Sequence, residues 1–477
     1  MRFYDPGYWP ARLVFGRLLG VVYLVAFIST LNQFRALCGA DGLLPAPSHL
    51  RRAGVRRAPS IFHLRYSDRL ATAAAGGGVV LSAAVVVGLV DRLPLWAAIG
   101  AWAALWGLYL SFVHAGQMFY GFVWEMLLLE AGFLGIFLGN ATVAPPVLVV
   151  FLVRWVLVRL EVGAGLIKLR HDPAWRDLTA LYYHHETQPL PNRLSWWFHH
   201  LPQPVHKLEV AANHVAQLVL PLGLLCPQPI ASAAALAIVV TQLWLMASGN
   251  FAWLNLLTIA LATTALDGRL LRAVLPLHQP VRQAAPGWFS VIVLAVAAVM
   301  VVLSIRPVRN MASRHQVMNA AYNPFYLGNT YGLFGRITRV RPEVVLEGTD
   351  DDPPGPDSVW KEYEFKAKPG SAGRRPRQVA PYHLRLDWLM WFAALSWLYA
   401  EAWFVPLAVK LLENDRATLR LLATNPFRDR PPRFLRATMY TYRFTTRQER
   451  RRTGQWWVRQ RVGEYLPPIG LRALSER

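Results

Sequence analysis

The chain has 477 residues, 54% of them hydrophobic and only 16% charged, with a formal net charge of +22. That balance excludes a disordered chain and an ordinary soluble enzyme, and it points to a polytopic membrane protein with a polar appendage. The excess charge is almost wholly arginine; beside so many apolar runs its expected partners are membrane lipids with anionic headgroups, and no nucleic acid.

The opening MRFYDPGYWPARLVFGRLLG does not read as a cleavable signal, because Arg17 interrupts its apolar run. Runs near the roughly 20 residues that a spanning helix needs lie at about 13–31, 70–90, 94–113, 119–138, 145–168, 207–225, 230–248, 250–266 and 287–305. They predict an α-helical membrane bundle of about nine spans over residues 1–306. The loop between the first two runs, LRRAGVRRAPSIFHLRYSDRL, is basic, and the positive-inside rule places it in the cytoplasm. Strict alternation then puts the later polar loop and the C-terminal region on that same side. Cys38 and Cys226 lie far apart with no C-x-x-C, so a disulfide framework, a dithiol site or a cysteine zinc cluster is not expected.

From Arg306 the composition changes. GTDDDPPGPDS and KPGSAGRRPRQ read as linkers, and EVVLEGT, WKEYEFKA, RATMYTYRF and QWWVRQRVGEYL alternate as strands do. In WKEYEFKA, Tyr363 and Phe365 share one face while Glu362 and Glu364 share the other; Tyr440, Tyr442 and Phe444 form a second aromatic face. These predict a β-rich, sandwich-like extramembrane domain over 307–477, with an aromatic helix near 387–412 that reads as an interfacial helix resting in the headgroup region, a core helix being the alternative.

The stretch from Arg154 to His214 holds the candidate site. Arg154, Glu161 and Lys168 are spaced by sevens on one apolar helix, and so share one of its faces. A polar, aromatic loop at 169–206 follows, and then a helix on which His206, Glu209, Asn213 and Gln217 share a face. Ionisable groups in a membrane are costly and usually face a bundle interior or a wet cavity. Lys168 therefore has two readings, a desolvated base or substrate anchor, and an interfacial lysine snorkelling to the headgroups. Arg154, Arg159 and Glu161 have Glu125 and Glu130 of GFVWEMLLLEAGFLG as expected partners, either in a site or in a register-fixing ion-pair network. Gly163 and Gly165 fit close helix packing. In the loop, Asp172, Arg176, Asp177, His185 and Glu186 read either as a substrate mouth or as part of a cap; Trp175, Tyr183, His184 and Gln188 lie among them. The prolines of TQPLPN forbid helix there. Asn250 and Asn255, with His114 and Gln117, are candidates to face the same cavity, though an intramembrane Asn equally serves a plain interhelical bond. The pairs His184–His185 and His199–His200 have no H-E-x-x-H-type spacing, so no metal and no cofactor are expected. No G-x-S-x-G elbow, P-loop or dinucleotide fingerprint is present.

GAGLIKLRHDPAWRDLTALYYHHETQPLPN, LSWWFHHLP and HKLEVAANH resemble the core of the lipase maturation factors; WEMLLLEAGFLG and SGNFAWLNLLTIAL resemble its neighbouring spans. NTYGLFGRITRVRPEVVLEGTDD, WKEYEFKAKPG, VAPYHLRLDWLMWFAAL, NPFRDRPPRFLRATMYTYRF and GEYLPPI resemble its C-terminal domain. The resemblance implies a chaperone-like, multi-pass membrane protein that helps secreted lipases reach their folded, active state. It also implies a cytoplasmic N-terminus, with the polar loop and C-terminal domain on the other side, against the charge rule. In a eukaryote the membrane would be that of the endoplasmic reticulum. The Ala/Arg-rich composition and the ending LRALSER point instead to a bacterial plasma membrane. AGLIKL with its Trp-containing loop is also similar to the membrane core of vitamin K-dependent carboxylases, which implies a base role for Lys168 on a lipid or quinone-like substrate. A structural scaffold without chemistry is the third reading.

Overall fold

The computed structural model describes residues 3–276 and 283–471. Its N-terminal part is helical. Among the described residues, five helices are long and apolar enough to cross a membrane: Pro6–Cys38, containing α1 (Trp9–Cys38), α2 (Asp68–Val87), α3 (Leu95–Ala115), Ile230–Ser248 and Gly287–Ala312. A sixth span results if Leu254–Thr263 and Gly268–Val274, bent by 114°, are taken as one. The expected count of about nine rests on runs that form shorter or more charged helices: α4 (Val123–Gly135), α5 (Val147–His171), α7 (Gln203–Leu218) and α9 (Leu254–Thr263). Between them lie α6 (Leu181–Thr187) in the polar loop, α8 (Ile230–Ser248), and finally α10 (Gly287–Ala312).

Local chemistry sets the ends. Ser67 caps α2 by accepting from Leu70 N at 3.1 Å, and Gly88 closes it in the left-handed region at φ 90°. Asp172 ends α5 and caps the following Pro173–Arg176 turn. α5 is the central helix: α4, α7, α9 and α10 pack around it. Outward-facing Val80, Val87, Leu236, Val291, Val301 and Val302 stay exposed, an apolar surface too extensive for water and suited to lipid.

Of the expected intramembrane pairings, one forms and two change. Arg159 pairs with Glu130, which also accepts from Tyr331 Oη at 2.6 Å. Glu125 turns instead to the C-terminal domain, whose Arg385 holds its carboxylate together with Tyr109 of α3, and His383 Nδ1 lies 3.7 Å away. Arg154 has carbonyls as partners, donating to Thr264 O at 2.7 Å.

The C-terminal part holds a four-stranded antiparallel sheet in the order β2-β1-β5-β6, formed by β1 (Arg341–Thr349), β2 (Lys361–Glu362), β5 (Phe434–Phe444) and β6 (Trp457–Gly470). A separate pair joins β3 (Glu364–Phe365) to β4 (Leu422–Thr424). Where a sandwich would need a second full sheet, helix α11 (Arg385–Leu395) packs on β1 and α12 (Phe404–Leu412) on β5. The aromatic stretch 387–412 is thus two helices joined at Ser396. Its Trp388, Met390, Trp403 and Leu407 are buried inside the molecule, while Trp397, Leu398 and Tyr399 at the joint stay exposed. The alternation shows as predicted: Tyr363 and Phe365 are buried, while Glu362 and Glu364 bind Arg459 and Arg374. Phe444 stacks on Trp457 at 4.2 Å, in a cluster that includes Trp196 of the polar loop.

Candidate functional site

A cavity of about 360 Å³ opens beside α5, walled by α5, α7, α8, α9 and the polar loop. Its lining is mostly apolar, with Leu160, Trp175, Phe251 and Phe334 among the walls. Leu208 of α7 and Val240 of α8 line it yet stay about two-thirds exposed, so its mouth opens sideways between those helices.

The polar groups come from five helices, α5 to α9. Lys168 Nζ donates to Gln217 Oε1 at 3.0 Å and Asn213 Oδ1 at 3.3 Å, and lies 4.5 Å from the centre of the Trp175 ring. Its hydrogen-bond partners are both amide oxygens, and among the described residues no carboxylate pairs with it directly. Glu161, two turns earlier, accepts from Gln242 Nε2 at 3.0 Å, and Gln242 in turn accepts from Asn255 Nδ2 at 2.8 Å. Glu209 Oε1 accepts from Trp244 Nε1 at 2.8 Å. His184 stacks against Phe251, and burial beside Lys168 pushes its imidazole down to about 3, so it stays neutral. The arrangement can hold a long apolar molecule whose polar end meets one lysine, two carboxyl groups and several amides.

Of the predicted site residues, Glu161, Lys168, Trp175, His184, His185, Glu209, Asn213, Gln217 and Asn255 line this cavity. His206 stands just behind, with Nδ1 3.0 Å from Glu209 Oε2. The others do different work. Arg154 sits fourteen residues before Lys168, roughly 21 Å along the helix, where it ties α5 to the turns at Leu224 and Thr264. Glu186 accepts from Phe444 N at 2.6 Å, and so holds the loop to β5. Asp172 accepts from Ala174 N and Ile337 N, each at 2.9 Å, and pairs with Arg339 at 2.8 Å. Those bonds, Arg339 first, hold its carboxyl well below the usual carboxylate range. Tyr183 lies under Arg339, and Arg176 and Asp177 face solvent. Gln188 fastens the proline turn by donating to Ser195 Oγ and Ser248 O. Asn250 clasps the C-terminal domain, accepting from Val379 N at 2.8 Å and donating to Arg377 O at 2.8 Å. His114 binds Pro324 O and Gln117 binds Leu44 O, both away from the cavity.

Sequence reasoning passed over Gln242 and Trp244 as cavity residues. A glutamine alone in the apolar run AIVVTQLWLM was the available signal, since an amide in that setting needs a partner.

Two family models match the chain: the lipase maturation factor transmembrane domain over residues 10–273 and the lipase maturation factor C-terminal domain over residues 327–467. Among curated proteins, lipase maturation factor 1 of Bos taurus is 39% identical, covering 97% of this chain and 89% of its own length. The Homo sapiens lipase maturation factor 1 is 37% identical, covering 98% and 89%, and Homo sapiens lipase maturation factor 2 is 30% identical, covering 96% and 82%. No solved structure matches the chain. With both domains matched in order and nearly the whole length aligned, the chain belongs to the lipase maturation factor family.

Proposed function

We propose that this chain is a membrane protein that assists the maturation of a secreted lipase, presenting its C-terminal domain and polar loop to the client at the membrane surface. The observation that carries this reading is the match of both domains at 36–39% identity to proteins named lipase maturation factor 1, over nearly the full chain. The buried Glu125–Arg385 pair supports a bundle and C-terminal domain that act as one body.

The membrane passes number about nine in this reading. Support comes from the ends of the helices. The Arg170–Met311 bond joins the C-terminal ends of α5 and α10, and the Arg154–Thr264 bond joins the other end of α5 to the end of α9. Short α4, α7 and α9, with charged α5, then cross inside a ring of apolar helices where their polar groups meet protein. A plasma membrane suits the Ala/Arg-rich composition. Membrane lipids are partners both at the outer apolar surface and in the cavity, whose sideways mouth admits an acyl chain. Lys168, Glu161, His184, His185, Glu209 and Asn213 would meet its polar end.

Deleting the gene in a host that secretes a lipase tests the reading. Secreted lipase activity per amount of lipase protein should fall and return with the wild-type chain; unchanged activity overturns it. In the same assay Lys168→Met should fold normally yet rescue poorly if the cavity takes part. Full rescue removes the cavity from maturation and leaves the C-terminal domain as the working surface.

A further inference from the structure

We propose that His185, His206 and Glu209 form a divalent-cation site of the zinc class at the cavity wall. Their candidate ligand atoms all lie within 4.8 Å of one another. His185 comes from α6, while His206 and Glu209 stand one turn apart on α7. Two imidazoles and a carboxylate are a donor set that zinc takes, leaving a fourth position for water or a substrate oxygen. Linear spacing could not reveal it, because the first ligand is on another helix.

Three features of the surroundings point the same way. His185 is 2% exposed, and neither Nδ1 nor Nε2 has a hydrogen-bond partner. A buried imidazole with both nitrogens unpaired is costly, and a cation between it and α7 would engage one of them. His206 directs Nδ1 to Glu209 Oε2 at 3.0 Å, while its Nε2 lies 3.4 Å from the His199 carbonyl oxygen. Glu209 Oε1 is held by Trp244 Nε1 at 2.8 Å, which leaves Oε2 for the ion. The outer atoms of two ligands are therefore already fixed by a carbonyl and an indole, the kind of support that orients metal ligands. His185 and Glu209 also line the cavity, so the open position faces that space.

Binding would form two metal–nitrogen bonds and one metal–oxygen bond, with the remaining N–H of His206 on Nε2, toward the His199 carbonyl oxygen. The site stands whether or not the client is a lipase.

The test uses the full chain, tag-free, purified in detergent, stripped with chelator, and titrated with Zn²⁺ and with Co²⁺. The expected result is one equivalent per chain, with Co²⁺ giving the intense visible bands of a tetrahedral ion. His185→Ala and Glu209→Gln should lose that equivalent, and His171→Ala should keep it. Trp244→Phe, which removes only the support to Glu209, should bind roughly 10–100-fold more weakly. A folded wild-type chain without the cobalt bands overturns the proposal, as does a folded His185→Ala variant that binds like the wild type. If His185→Ala does not fold, the wild-type cobalt spectrum and the Trp244→Phe affinity decide.

Discussion

Glu125 and Arg385 are both fully buried, one in the bundle and one in the C-terminal domain, and neither has water to fall back on. Removing one member of such a pair leaves an uncompensated charge and costs about 3–5 kcal/mol, whereas removing both costs far less than the sum. Arg385→Met should therefore lower thermal stability sharply. Adding Glu125→Gln should restore much of it, and a differential scanning measurement in detergent reads both. Asp172 predicts a pH effect. Its depressed pKa means that its bonds to Arg339 and the two amides stabilise the fold at neutral pH. That contribution fades as pH falls below about 4, the ordinary carboxylate value. Asp172→Asn should cost roughly 1 kcal/mol at pH 7, because Arg339 is half exposed. It should also make the acid side of the melting curve against pH shallower.

At the scale of elements, the close packing of α5 decides what the helix tolerates. A Cβ on Gly163 would collide with the Tyr331 carbonyl, whereas one on Gly107 of α3 meets open space. Gly163→Ala should destabilise by about 1–3 kcal/mol, while Gly107→Ala should be neutral or slightly stabilising through helix propensity; unfolding midpoints of the two variants check this. The heptad of Arg154, Glu161 and Lys168 was legible because helical spacing alone puts all three on one face. What spacing does not give is where along the helix a cavity opens, and that position leaves Arg154 outside the space that Glu161 and Lys168 share. Strands β1 and β5 were legible through alternation, since one face is apolar. The two-helix form of 387–412 was not, because both helices bury apolar residues and the joint at Ser396 is itself aromatic. Gln242 left one legible mark, a lone amide in an apolar run, whereas Trp244 left none, because an aromatic ring in a spanning helix suits lipid as well as protein.

At the scale of the whole molecule, the structure fixes which surfaces share a side. Ser29 Oγ donates to His383 O at 2.9 Å, and Gln33 Oε1 accepts from Arg385 N at 3.0 Å. Both residues are in the last turns of α1, so the C-terminal domain sits at the end from which the basic loop, with Arg51, Arg52, Arg56 and Arg57, emerges. The charge rule would place that loop in the cytoplasm, and the C-terminal domain would go with it, out of reach of any secreted client. Maturation of a lipase requires the reverse orientation for both. With Cys226 changed to Ser, Val55→Cys in the loop and Asp357→Cys in the C-terminal domain each provide one exposed thiol, since Cys38 is buried. A maleimide that cannot cross the membrane should label both in intact cells. Protection of both would keep the fold and end the lipase reading, because the domain would then face the cytoplasm. Labelling of only one would break the shared side of α1 on which the docking of the two parts depends.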